Sequence, residues 1–159
     1  MFRDTISVSI AASILAIDQA AKYFLTHSLR PNETVPLIKN VFHITLVLNT
    51  GCAFGLFKDK SHLYFLSLSA AAVIFLVYFL MRLKKEETAL RLAVLLLITG
   101  SVSNLIDRAR FGYVIDFLDF RVWPVFNLGD SAITIGVIIF VLKLLYPLSF
   151  PRKRESRKL

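Results

Sequence analysis

The chain is poor in cysteine, in histidine and in charge. Of its 159 residues one is cysteine, Cys52, three are histidine, and 19% are charged. A single cysteine excludes an internal disulfide framework and any cysteine-rich metal site. No His/Cys cluster exists to hold zinc, so no metal and no cofactor is expected. No serine stands in a G-x-S-x-G setting, and Cys52 with His43 or His62 is a poor Cys–His partnership for nucleophilic catalysis. Soluble domains carry about 25% charged and about 45–50% apolar residues. Here the apolar share is 56% and the mean hydropathy +0.65, which argues against an ordinary cytosolic enzyme and against a disordered chain. The net charge of +8 does not call for nucleic acid, because a membrane protein with basic cytoplasmic flanks explains the charge and the apolar content together.

The hydrophobicity is concentrated. Ser61 to Met81 has no formally charged residue, and as a helix it would cover about 30 Å, the thickness of a bilayer core. Four spans are expected, at about 5–25, 63–82, 88–107 and 131–148, in one integral membrane domain covering 1–159. The first could instead be read as a secretory signal peptide, but it carries Asp18 inside its apolar run and three further spans follow. Arg82, Lys84, Lys85 and Arg91 crowd the loop between the second and third spans, and the tail 151–159 is basic. Both are therefore expected in the cytoplasm with both termini, leaving 28–60 and 108–130 outside. Residues 35–48 read as a strand or hairpin on the outer surface, and 111–126 as an aromatic-rich interfacial segment.

Charges inside a membrane need an explanation. Asp18 and Lys22 lie four residues apart, on one helical face; they could form a simple intrahelical ion pair or help hold a substrate. Asn104-Leu-Ile-Asp107 closes the third span and Asn127-Leu-Gly-Asp130 opens the fourth, which sets two matched carboxylates at one depth near the outer rim. Asp130 could also cap the fourth helix with Ser131. Two close aspartates share a proton, so that one takes a proton from water while the other donates to a carbonyl. Helix ends favour Asp130 as the charged base and Asp107 as the protonated acid.

Five blocks, in order, resemble those of lipoprotein signal peptidase (signal peptidase II): Asp18-Gln-Ala-Ala-Lys22 its D-Q-x-x-K, Asn49-Thr-Gly51-Cys52-Ala-Phe-Gly55 its N-x-G-A-A-F-G, Ser103-Asn104-Leu-Ile-Asp107-Arg108 its G-N-L-I-D-R, Val114-Ile-Asp116-Phe117 its V-V-D-F, and Phe126-Asn127-Leu-Gly129-Asp130-Ser131 its F-N-x-A-D-S. The resemblance implies a bacterial aspartic endopeptidase with four transmembrane helices, a small extracytoplasmic β-rich cradle and an interfacial loop. It implies Asp107 and Asp130 as the catalytic pair. Asp18, Lys22, Asn49, Gly51, Asn104, Arg108 and Asn127 would support the site or the substrate. The implied substrate is a prolipoprotein cut before its diacylglyceryl-modified cysteine, and the implied inhibitor type is globomycin. The setting would be the cytoplasmic (inner) membrane, among its lipids, as a monomer with the site toward the extracytoplasmic face. Cys52, Ser103 and Gly129 depart from the pattern, small for small; Gly129 would loosen the start of the fourth helix. A proton-coupled carrier and a non-catalytic scaffold are the other classes, but only the short N-L-x-D echo suggests a repeat.

Overall fold

The computed structural model describes residues 2–51 and 62–149. Cys52 to Gly55 of the second block and the basic tail 151–159 lie outside the described residues. Helix α1 runs Phe2–Ser28, α2 His62–Arg82, α3 Thr88–Phe111 and α4 Leu128–Ser149. All four are long and apolar enough to cross a membrane. Their outward faces are apolar too: Ile74, Phe75 and Met81 of α2 are well exposed, as a lipid-facing surface requires.

Helix α3 is the centre of the bundle and packs against α1, α2 and α4. Its contact with α4 is the closest, because glycines remove the side chains that would hold the backbones apart. A Cβ at Gly100 would lie 2.1 Å from the Gly129 carbonyl oxygen, and one at Gly136 would lie 2.8 Å from that of Ala93. The apolar run of the third span stops at Ile106, yet α3 continues to Phe111. Arg108 and Arg110 suit the negative end of the helix dipole. Gly112, at φ 82°, then ends the helix in a left-handed turn with its N–H on the Arg108 carbonyl.

That turn delivers the chain into a three-stranded antiparallel sheet at one end of the bundle. Strands β1 (Thr34–Ile38) and β2 (Phe42–Asn49) form the expected hairpin, with Asn40 at φ 62° in its turn. Strand β3 (Val114–Asp119) was expected only as part of an aromatic interfacial stretch. It pairs with β2 in the order β1-β2-β3, setting Asn49 opposite Val114 and Val47 opposite Asp116. Its residues are buried against α1 and α3, whereas β1 is exposed throughout.

Candidate active site

A cavity of about 610 Å³ opens where α2, α3 and α4 meet β2, β3 and the segment before α4. Of the residues singled out in the sequence, Asn49, Gly51, Asn104, Arg108 and Asp130 line it, and so does Asp116. Asp18, Lys22, Asp107 and Asn127 are not on its wall. They form a buried layer behind it, each at most 2% exposed.

Asp130 is held by a reciprocal cap. The Asn127 side-chain oxygen accepts the Asp130 N–H at 2.8 Å, and Asp130 Oδ2 accepts the Asn127 N–H at 3.3 Å. Asp130 Oδ1 accepts from the Asn104 amide at 2.8 Å. The first turn of α4 has a second anchor in Asp18. Its Oδ1 reaches from α1 to accept the N–H groups of Leu128 at 2.9 Å and Gly129 at 3.4 Å, donors that a helix start leaves unpaired. Gly129 therefore does not loosen the start of α4; the turn is pinned from two sides.

Asp116 projects from β3 and is 2% exposed. Its Oδ2 accepts from the Asn49 amide at 2.9 Å and its Oδ1 from the Asn127 amide at 2.7 Å. Asn127 thus contacts both residues: its side-chain amide donates to the Asp116 carboxylate, and its main-chain N–H donates to the Asp130 carboxylate. Burial pushes the Asp116 carboxyl up to about 6, and the charge of Asp130 works the same way. The hydrogen bonds from Asn49 and Asn127 and the ammonium of Lys22 pull against that rise.

Asp107 is placed otherwise than the sequence suggests. It is 1% exposed, and its described partners all donate to it: Lys22 Nζ at 2.7 Å, Gln19 Nε2 at 3.0 Å and the Ile115 N–H at 3.2 Å. Its oxygens are therefore engaged behind the cavity wall and do not face the cavity. Helix periodicity carries Asp107 behind the cavity wall, while the next turn of chain brings Asp116 to the front. Asp18 and Lys22 do pair at 2.7 Å, but as part of a larger cluster, since the same ammonium bridges to Asp107. Arg108 lies on the cavity wall with one Nη 3.4 Å from Ser69 Oγ. Asp116, on the cavity wall, was not among the candidate site residues read from the sequence. The available signal was an acid inside the buried apolar run Val114-Ile115-Asp116-Phe117. Among the described residues no group of three or more His, Cys, Asp and Glu is arranged to hold a metal ion.

The arrangement has counterparts. The profile of the family described as signal peptidase (SPase) II matches residues 10–146. The lipoprotein signal peptidase of Moorella thermoacetica is 46% identical over 138 residues, which are 87% of this chain and 91% of that protein. That of Brevibacillus brevis is 44% identical over 135 residues, 84% and 90% of the two chains. A solved structure described as a bacterial membrane enzyme superposes with a TM-score of 0.87 at 31% identity, covering 97% of this chain and 95% of its own. A second, of the same description, gives 0.81 at 31% identity over 89% and 93%. With four membrane-length helices, the ordered motif blocks and matches along nearly its whole length, this chain belongs to the signal peptidase II family of membrane proteases.

Proposed function

We propose that the chain removes the signal peptide from diacylglyceryl-modified prolipoproteins by aspartic catalysis, cutting before the lipidated cysteine, with Asp116 and Asp130 as the catalytic pair. The carrying observation is that these two carboxylates share one cavity wall and that Asn127 donates to both, with its side-chain amide to Asp116 and its main-chain N–H to Asp130. Family membership and the names of the relatives supply the substrate class.

The proton accounting follows from the two environments. Asp130 is the charged base: it lies in the first turn of α4 and accepts hydrogen bonds on both oxygens. Asp116, raised toward neutrality by burial, is the acid. Asp130 takes a proton from the attacking water while Asp116 gives its proton to the scissile carbonyl oxygen. A tetrahedral diol results. Its collapse returns a proton from a diol hydroxyl to Asp116 and passes the one on Asp130 to the departing amine of the lipidated cysteine. An apolar substrate filling the cavity excludes water and favours the neutral form of Asp116 further.

The enzyme acts in the bacterial cytoplasmic membrane as a monomer among lipids, without a cofactor. Both termini are cytoplasmic and the cavity faces the extracytoplasmic side, where the lipid-tethered substrate and water can meet. Globomycin-type peptides compete for the same cavity. The test is cleavage of a diacylglyceryl-modified lipobox peptide by the purified protein and its variants. Asp116→Asn and Asp130→Asn should each lower kcat by about 1,000-fold or more, within the range for loss of a general acid or base. Asp107→Asn should keep measurably more activity than either. Loss of activity in Asp107→Asn with Asp116→Asn still active would return the catalytic role to Asp107.

A further inference from the structure

The proton-sharing pair leaves a buried ammonium unused. Lys22 is 2% exposed, and its Nζ lies 2.7 Å from Asp18 Oδ2 and 2.7 Å from Asp107 Oδ2. Each of these carboxylates also holds main chain beside one cavity aspartate. Asp107 accepts the N–H of Ile115, the residue before Asp116. Asp18 accepts the N–H groups of Leu128 and Gly129, the two residues before Asp130. A third arm runs from Lys22 Nζ to Asn104 Oδ1 at 3.4 Å, and the amide of Asn104 donates to Asp130.

Ser103, which stands where the family pattern has glycine, adds to this cluster. Its hydroxyl donates to Asp18 Oδ2 and accepts from Gln19 Nε2 at 2.9 Å, while Gln19 also donates to Asp107. Helices α1 and α3 are joined by charge at the level of the cavity, directly behind its wall.

We propose that Lys22 is a positioning residue for the reaction: through Asp18, Asp107 and Asn104 it fixes the separation of Asp116 and Asp130, and with it their sharing of one proton. This rests on the reading of Asp116 and Asp130 as the catalytic pair. Without the ammonium, Asp18 and Asp107 are buried like charges on facing helices. They must protonate or move apart, and either response weakens their grip on the main chain next to each catalytic carboxylate.

The groups around Asp116 make the proposal measurable. Asn49 comes from β2, Asn127 and Asp130 from the start of α4, Lys22 from α1 and Asp107 from the turn of α3 behind Ile115. Of these, Lys22 is a positive charge acting on Asp116. In the full-length protein, Lys22→Met should lower kcat about 100-fold at little change in KM, the cost of an ångström-scale misplacement of reacting groups. It should also move the alkaline limb of the kcat/KM profile to higher pH, because a positive charge near Asp116 is gone. Lys22→Arg keeps the charge with altered reach, so it should keep the wild-type limb and recover part of kcat. A folded Lys22→Met with wild-type kcat, or with a lowered kcat and an unmoved limb, would overturn the proposal. If Lys22→Met does not fold, Lys22→Arg and Ser103→Gly carry the test: lowered kcat at unchanged KM supports it, and wild-type kcat in both overturns it. Failure of the catalytic reading is seen separately, in wild type that does not cleave or Asp116→Asn that does, and would remove this inference with it.

Discussion

At the scale of the residue, Asp116 is the informative side chain. It stands in a strand whose other members are mostly buried and apolar, so its carboxyl loses water and rises from 3.8 to about 6. Asp119, three residues on in the same strand, moves the opposite way. Burial raises it, but the Thr45 hydroxyl and the backbone and guanidinium of Arg121 outweigh that and hold it below the usual carboxylate range. One strand thus carries an acid poised to hold a proton and another kept charged. Between pH 3.8 and 6 the folded protein holds the Asp116 proton that the unfolded chain has released. The contribution of this group to stability therefore falls as pH rises through that window and is most favourable below it. The neighbouring charge is testable directly. In an infrared titration assigned by its loss in Asp116→Asn, the Asp116 carboxyl should titrate near 6 in wild type and lower in Asp130→Asn, since a repelling charge has been removed. An unchanged midpoint would mean that the two carboxylates do not interact. None of this was legible from spacing. The N-L-x-D echo pointed to Asp107 because the helical repeat shows which residues share a face, but it does not show whether that face meets a cavity or an ammonium. That Asp130 opens a helix was legible; the position of Asp116 depends on a strand pairing with residues 42–49, far away in sequence.

At the scale of the element, the four helices were legible almost to their ends because uninterrupted apolar runs of bilayer length have few other uses. The residues that set their mutual distance were less so. The approach of α3 to α4 depends on Gly100, where an added Cβ would fall 2.1 Å from a backbone oxygen and 2.7 Å from Ile133 Cγ1. No rotamer relieves a backbone clash, so Gly100→Ala must push the start of α4, and Asp130 with it, away from α3. Overpacking of this kind costs about 1–3 kcal/mol, which should appear as a lower melting temperature together with reduced kcat. Gly129→Ala is the contrasting case. Its Cβ would meet Asn127 Oδ1 at 3.0 Å and the Gly100 backbone at 3.2 and 3.4 Å, contacts relieved by shifts of a few tenths of an ångström. Alanine also gains up to about 1 kcal/mol of helix propensity over glycine. Gly129→Ala should therefore leave melting temperature and activity near wild type. A larger loss in Gly129→Ala than in Gly100→Ala would show that the tight contact lies elsewhere. The third strand was hidden for a different reason. Asp116 and Asp119 break the apolar alternation that marks a strand, and their partners Asn49 and Thr45 come into reach only after folding.

At the scale of the whole molecule, connectivity and charge act together. Four helices joined in sequence must alternate in direction, so the sheet, Gly112 and the start of α4 lie at one end, and the 83–87 loop lies at the other with the start of α1 and the end of α4. Lys84 and Lys85 occupy that loop beside Arg82, and the positive-inside rule assigns it to the cytoplasm. On the orientation proposed above, the cavity opens to the extracytoplasmic side, at the level where a lipid-tethered substrate would leave the bilayer. The hairpin is a convenient reporter, because Lys39 is exposed near its turn, as Glu86 is in the opposite loop. In a Cys52→Ser background, Lys39→Cys should react with a membrane-impermeant maleimide in intact spheroplasts. Glu86→Cys should react only after permeabilisation. The reverse pattern would put the cavity in the cytoplasm, where a prolipoprotein already exported and lipidated could not reach it, and would overturn the assigned orientation even if the carboxylate chemistry were unchanged. Labelling of both positions in intact spheroplasts would mean that α2 does not cross the membrane, because α2 with the segment before it is all that separates the hairpin from the 83–87 loop.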